Sequence, residues 1–220
     1  MAGILFIISA PSGSGKSTLV AQVRSLVEGL EFSVSYTTRA PRGSETDGRE
    51  YYFTERETFR QMVENGEFLE WAEVFGNYYG TAVSALEHER TAGKDLLLDI
   101  DVQGAKQVIE RLPEAVSIFI LPPSPEVLEM RLRNRSEAEH MTSVEVIERR
   151  LHQAREEVKR VWDYKYALVN DVLDQATAEM KAIVLYERGV RDGVTAVAEG
   201  CRTCARSPRL MAALKSFGVV

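Results

Sequence analysis

The chain is short of cysteine, of long apolar runs and of net positive charge, and each shortage removes a class of protein. Only 2 cysteines occur in 220 residues, both near the C-terminus, so a disulfide framework is not indicated. No stretch approaches the about eighteen apolar residues of a membrane span. The apolar run Ile4 to Ile8 near the start is only five residues long and has no Lys or Arg before it, which predicts neither a signal peptide nor an anchor. The 27 basic residues are outnumbered by 33 acidic ones, for a formal charge of −6. A broad basic surface that neutralises many phosphates is therefore not expected, and nucleic acid is not the expected partner. What is present is ordinary for a folded protein: 45% hydrophobic and 27% charged residues in a length that suits one or two domains with a sizeable core. The expectation is a reduced, soluble, cytoplasmic protein.

Apolar runs at 4–8, 96–100, 116–121 and 166–169 read as buried strands, because nearly every position is apolar instead of every second one. Helical patterns fill 17–28, 102–112, 125–134, 143–162 and 174–188. The alternation predicts an α/β fold with a parallel sheet covered by helices on both faces. The stretch 35–81 breaks the rhythm with short aromatic runs around one helix, roughly 55–65, and reads as a small α+β insertion. Residues 191–220 carry five basic and two acidic side chains and are expected to form a partly ordered extension. Cys201-Arg202-Thr203-Cys204 within it has metal-ligand spacing, but one pair is only half of a four-ligand zinc site. A shared site between two chains, a redox pair and two plain thiols all remain open there.

Ala10-Pro11-Ser12-Gly13-Ser14-Gly15-Lys16-Ser17-Thr18 follows the first strand and opens the first helix. That is the context in which a P-loop works: successive backbone N–H groups and the helix N-terminus converge on an anion. Gly13 and Gly15 permit backbone conformations denied to other residues. Lys16 supplies a charge for the β/γ-phosphates, and the Ser17 hydroxyl is placed to ligate Mg²⁺. One departure is visible, Ala10 standing where the strict pattern has Gly. Leu96-Leu97-Leu98-Asp99-Ile100-Asp101 is an apolar strand ending in carboxylates, where open α/β sheets place ligands. Asp99 is the expected holder of Mg²⁺ through a water.

The insertion speaks to the phosphate acceptor. Ser35-Tyr36-Thr37-Thr38-Arg39-Ala40-Pro41-Arg42 sets two guanidiniums three residues apart beside hydroxyls, a combination suited to bidentate grip on a phosphomonoester. Glu50-Tyr51 and Asn77-Tyr78-Tyr79-Gly80-Thr81 add phenols and a hydroxyl, and Phe68-Leu69-Glu70-Trp71-Ala72 places a carboxylate within an aromatic stretch. These segments, with Leu-Asp-Ile-Asp-x-Gln-Gly at 98–104, lie in the order seen in guanylate kinases, and the chain resembles that family across about residues 4–188.

The resemblance implies a P-loop kinase core at 1–34, 82–128 and 156–190, a GMP-binding insertion at 35–81, a mobile lid at 129–155 and the extension at 191–220, with hinges near 33–35 and 81–84. It implies that Ser35, Arg39, Arg42, Tyr51 and Tyr79 hold the acceptor phosphate and that Glu70, Thr81 and Asp101 read guanine. Residues 10–18 would hold ATP, with Asn170 near its adenine. Lys16, Arg131, Arg135 and Arg150 would carry the catalytic positive charge, and Mg²⁺ would come with ATP. The implied reaction transfers the γ-phosphate of ATP to GMP, and to dGMP. No general base is called for, so His88, His140 and His152 read as structural or surface residues. The lid departs from the family's Gly-Arg-Gly, having Asn134-Arg135-Ser136, and 136–142 looks about four residues longer than usual. A related phosphosugar kinase would keep the P-loop and lose Glu70 and Thr81; a silent binding module would lose the ATP site. Homo-oligomerisation is left open.

Overall fold

The computed structural model describes residues 3–138 and 144–220, the side chains of Arg90, 135–138, Val144 and Val146 excepted. The chain divides into two compact units, one of residues up to Ile7 together with Gly29–Ala115, the other of Ile8–Glu28 and Val116–Val220. Strand β1 (Leu5–Ser9) crosses that division. With β2 (Leu30–Phe32), β7 (Asp95–Asp99), β8 (Val116–Leu121) and β9 (Tyr166–Val169) it gives a five-stranded sheet of order β2-β7-β1-β8-β9. The pairs β2–β7 and β8–β9 run parallel, with Leu30 opposite Asp95 and Ile118 opposite Tyr166. All four apolar runs are strands, and β8 is buried at every position, as expected of a sheet covered on both faces. The fold is α/β.

The first unit holds a second sheet, order β4-β3-β6-β5, made of β3 (Ser35–Thr37), β4 (Tyr51–Phe53), β5 (Phe68–Val74) and β6 (Asn77–Ala82). Helix α2 (Arg56–Glu64) buries Phe59 against one face of it, where Phe59 stacks on Phe68 and Tyr78 at 4.5 and 5.5 Å. The hairpin β5–β6 turns through Phe75 and Gly76, both at positive φ (50° and 78°), the signature of a type I′ turn whose twist matches the strands.

A bulge lies between Phe68 and Glu70. Side chains alternate faces along a strand, so residues 68 and 70 would ordinarily point the same way; one extra residue reverses that parity. Phe68 therefore joins the aromatic face with Phe59 and Tyr36. Glu70 joins the other face, opposite Thr81 in the ladder.

Helix α4 (Val102–Arg111) lies along β5, the edge strand. Gln103, Gln107 and Arg111 donate to the carbonyls of Glu73, Trp71 and Leu69 at 3.4, 2.7 and 2.5 Å. Four helical residues advance about 6.0 Å and two strand residues about 6.8 Å, so side chains at i, i+4 and i+8 can serve every second carbonyl of an antiparallel-running edge. Asp101 caps the helix, accepting from Gly104 N at 2.9 Å, which stabilises it by about 1 kcal/mol.

The second unit contains α1 (Lys16–Leu26), α5 (Pro125–Ala138), α6 (Val144–Val158) with a 3₁₀ turn at Lys159–Asp163, and α7 (Leu173–Glu187). Leu128 and Leu132 of α5 pack on Ala154 and Leu151 of α6 and on Phe217. The expectation of a partly ordered tail is corrected. It folds into α8 (Thr195–Gly200) and α9 (Pro208–Ser216), the latter begun by a Ser207 cap and Pro208, a favoured helix start. Between them Ala167 N donates to Cys201 O at 2.9 Å and Thr203 N to Lys165 O at 3.1 Å, so the tail caps the outer edge of β9. Short elements escaped the sequence reading: β2 has three residues, and α3 (Val83–Ala92) lacks a sustained apolar stripe.

Candidate functional site

In the first unit the strand registers put Ser35, Tyr51, Glu70, Tyr79 and Thr81 on one face of the second sheet. Ser35 stands opposite Tyr51, Thr37 opposite both Phe53 and Tyr79, and Glu70 opposite Thr81. Ser35 Oγ and Thr81 Oγ1 lie 3.3 Å apart, and both residues are buried. The rings of Tyr51 and Tyr79 meet edge to face at 5.9 Å. Burial, then the charge of Asp99, pushes the Tyr51 phenol up to about 12, so it remains a hydrogen-bond donor.

Glu70 is 3% exposed, not the surface carboxylate that an isolated strand position suggests. Burial lifts its pKa from 4.5 to about 7, hydrogen bonds from Thr81 oppose that rise, and the charge of Asp101 adds to it. Its carboxylate occupies the space that a side chain at position 104 would fill: a Cβ on Gly104 would stand 2.2 Å from Glu70 Oε2 and 3.3 Å from Asp101 Oδ1. The sequence reading included Gly104 in the 98–104 signature but gave it no role of its own.

Arg39 is 9% exposed and lies over the ring of Tyr51 at 5.3 Å. It donates to both oxygens of Glu45, at 2.9 and 3.0 Å, and to the Ala40 carbonyl at 2.8 Å. Arg42 N donates to the same Glu45 carboxylate at 2.8 Å. Although partial desolvation opposes it, that half-buried carboxyl is held below its ordinary range by Arg39 and the Arg42 amide. Glu45, which sequence reasoning missed, thus shapes the loop that carries both arginines; the Arg42 side chain itself is exposed. Asp99 ends β7 and Asp101 caps α4.

In the second unit, residues 10–15 form a tight loop before α1. Ser14 N and Oγ donate to Pro11 O at 3.1 and 2.7 Å. Gly13 and Gly15 have φ of 88° and 82°, values that only glycine adopts at little cost. Lys16 is the first residue of α1, followed by Ser17 and Thr18, so the helix N-terminus opens directly from the glycine-bearing loop, the arrangement in which backbone N–H groups can meet an anion. Asn170, 5% exposed, donates its side-chain amide to Ser14 O at 2.8 Å. Arg131 donates to Ser14 O at 3.3 Å and to Asn170 O at 3.0 Å. The structure thus gathers Asn170 and Arg131 on the loop's Ser14 carbonyl. Arg150 lies on α6, 8% exposed. Of the stretch 136–142 expected to be longer than usual, residues 139–142, with His140, fall outside the described residues, as do the side chains of Arg135 and 136–138. His88 is exposed.

Cys201 is buried, its thiol pushed up to about 12 by burial, and Cys204 is exposed. A thiol so hard to ionise is a poor nucleophile, so Cys201 is not suited to be the attacking thiol of a redox pair. Among the described residues no group of three or more His, Cys, Asp or Glu is placed to hold a metal.

Comparison with known proteins points to one family. A family model described as guanylate kinase matches residues 3–187. The guanylate kinase of Koribacter versatilis is 51% identical over 226 residues, covering 99% of this chain and 97% of the relative. That of Nitrosospira multiformis is 50% identical over 186 residues, covering 84% of this chain and 87% of the relative. The crystal structure of guanylate kinase from Anaplasma phagocytophilum superposes with a TM-score of 0.66 at 34% identity, covering 100% of this chain and 97% of that one. The chain belongs to the guanylate kinase family.

Proposed function

We propose that the protein is an ATP:GMP phosphotransferase of the cytoplasm, moving the γ-phosphoryl group of ATP onto GMP to give ADP and GDP, and onto dGMP to give ADP and dGDP. The observation that carries this reading is the buried Glu70 carboxylate on the same sheet face as Ser35, Tyr51, Tyr79 and Thr81. Guanine offers N1–H and N2–H₂ as adjacent donors, and one carboxylate accepts from both. Adenine has no such pair and would leave Glu70 facing a ring nitrogen, an unpaired buried contact that a polar site rejects by several orders of magnitude. Thr81 and Asp101 complete the base contacts. Arg39, Arg42, Ser35, Tyr51 and Tyr79 hold the acceptor phosphate, guanidinium groups by paired N–H donors and phenols by single ones.

An oxygen of that phosphate is the nucleophile. It is already anionic near neutral pH, since its second pKa is about 6, so catalysis rests on alignment and charge neutralisation. Residues 10–18 bind the donor phosphates, Lys16 placing its charge on the transferring group, and Asn170 lies towards the adenine. Arg131, Arg135 and Arg150, in the lid at 129–155, supply further positive charge, while 35–81 acts as the acceptor insertion on the core of 1–34, 82–128 and 156–190. The hydroxyl of Ser17 and the carboxylate of Asp99, acting through water, are the hard oxygen donors that Mg²⁺ prefers. Mg²⁺ held there with ATP would supply positive charge to the donor phosphates.

The test is ADP release by purified protein with Mg²⁺ and ATP, offered GMP, dGMP, AMP, CMP, UMP and ribose bisphosphate in parallel. Turnover confined to GMP and dGMP, and lost in Glu70→Gln and in Lys16→Ala, is expected. Turnover with the sugar phosphate alone overturns the guanine-reading assignment; GMP binding without any turnover favours a silent binding module.

A further inference from the structure

We propose that Arg209, in the C-terminal tail, is a positioning residue for the donor-phosphate loop, acting through Asn170. Asn170 follows β9 directly, its N–H donating to Leu121 O at 2.8 Å and its side-chain amide to Ser14 O at 2.8 Å. The residues on either side of it are held by one guanidinium: Arg209 Nη2 donates to the Val169 carbonyl and to Asp171 Oδ1. Its Nη1 pairs with Glu179 of α7, so the tail ties the end of β9 to a neighbouring helix across the position of Asn170.

The chemistry of the peptide bond makes this matter at the phosphate. The Ser14–Gly15 amide is planar and trans, so its carbonyl and its N–H point in opposite directions. Fixing the Ser14 carbonyl therefore aims the Gly15 N–H, one of the donors of the anion cradle. The space is close: a Cβ on Gly15 would stand 2.6 Å from Asn170 Nδ2. A small shift of Asn170 thus changes the aim of a phosphate-binding donor directly. Arg209 acts at one remove, holding the residues that flank Asn170; it sets the residue that sets the loop.

This inference rests on residues 10–18 binding the donor nucleotide, and the experiment separates the two. Calorimetric titration of the full chain with ADP and Mg²⁺, and separately with GMP, is run on wild type, Arg209→Met, Asn170→Ala and the double variant. Arg209→Met is expected to weaken ADP on the order of tenfold, as sub-ångström misplacement of a binding group does, with GMP affinity unchanged. In the Asn170→Ala background the same substitution is expected to change ADP affinity less than about twofold, because residues acting through one another are not additive. Arg209→Lys keeps the charge and the aliphatic stem, but a single ammonium does not hold the Val169 carbonyl and Asp171 together; it is expected to weaken ADP as well, at wild-type thermal stability. Wild-type ADP affinity in Arg209→Met or Arg209→Lys, or effects of Arg209 and Asn170 that multiply, overturns the proposal. Absence of ADP binding to the wild-type chain instead overturns the donor-site reading on which it stands.

Discussion

Gly104→Ala isolates guanine recognition from folding, because at this position the two respond in opposite directions. Residue 104 lies in the first turn of a helix, where Ala is favoured over Gly by about 0.5–1 kcal/mol. The added Cβ, however, would stand 2.2 Å from Glu70 Oε2, against 3.4 Å or more for ordinary contact. The carboxylate must retreat by about 1.2 Å, and its side chain is 3% exposed, so it rotates within the site and not into solvent. A displacement of about 1 Å costs a positioned group on the order of a hundredfold, or about 2.7 kcal/mol. The expected result is a rise in KM for GMP of that order with KM for ATP within about twofold of wild type. The melting temperature should stay within about 4 °C, since 1 kcal/mol shifts a chain of this size by about 2–4 °C. Steady-state kinetics with both substrates and a thermal melt settle it. Wild-type GMP affinity in a folded Gly104→Ala would refute the role given to Glu70.

Four further outcomes follow from the geometry. Guanine needs the ionised form of Glu70, whose pKa is about 7, so GMP affinity should fall by up to about tenfold per unit as pH drops below about 7; the window between 6 and 7 is the one to measure, because the GMP phosphate itself protonates near 6. The same elevated value has a stability consequence of definite sign. The folded chain retains a proton that the unfolded chain loses near 4.5, so Glu70 favours folding below that pH and the benefit is lost as pH rises through 7. Glu70→Gln should therefore gain thermal stability over wild type on going from pH 5 to pH 8, and parallel curves would contradict the burial argument. Phe75→Asn should stabilise the β5–β6 hairpin by on the order of 1 kcal/mol in chemical denaturation, because Phe at φ of 50° is strained where Asn before Gly is favoured. Gly15→Ala should abolish ADP binding while leaving GMP binding intact, since its φ of 82° and the nearby Asn170 amide both exclude a side chain.

The sequence made the main sheet and the phosphate loop legible because each depends on local pattern. Buried strands announce themselves as unbroken apolar runs, and a glycine-rich turn between strand and helix has one common use. The parity reversal at Leu69 was not legible: a bulge leaves no compositional mark, and only the pairing of Glu70 with Thr81 reveals which face the carboxylate takes. Glu45 was missed, and Gly104 given no role beyond its signature, for a related reason, as their importance lies in what they meet six and thirty-four positions away. The tail read as loose because its helices are short, of six and nine residues, and because its order comes from bonds to β9 that no window of sequence contains.

The row of Gln103, Gln107 and Arg111 along β5 acts as a vernier. Two rulers with nearly equal divisions, one helical and one extended, stay in step for three marks and then drift apart. Glu70 falls between the marks at 69 and 71, and Gly104 falls just inside the mark at 103. The height of the base-reading carboxylate over the helix is thereby gauged by backbone repeat distances, and side-chain bulk in the core has little say in it. Exchanges among apolar residues such as Ala105 and Val108 should make the protein weaker or stronger without making it read a different base.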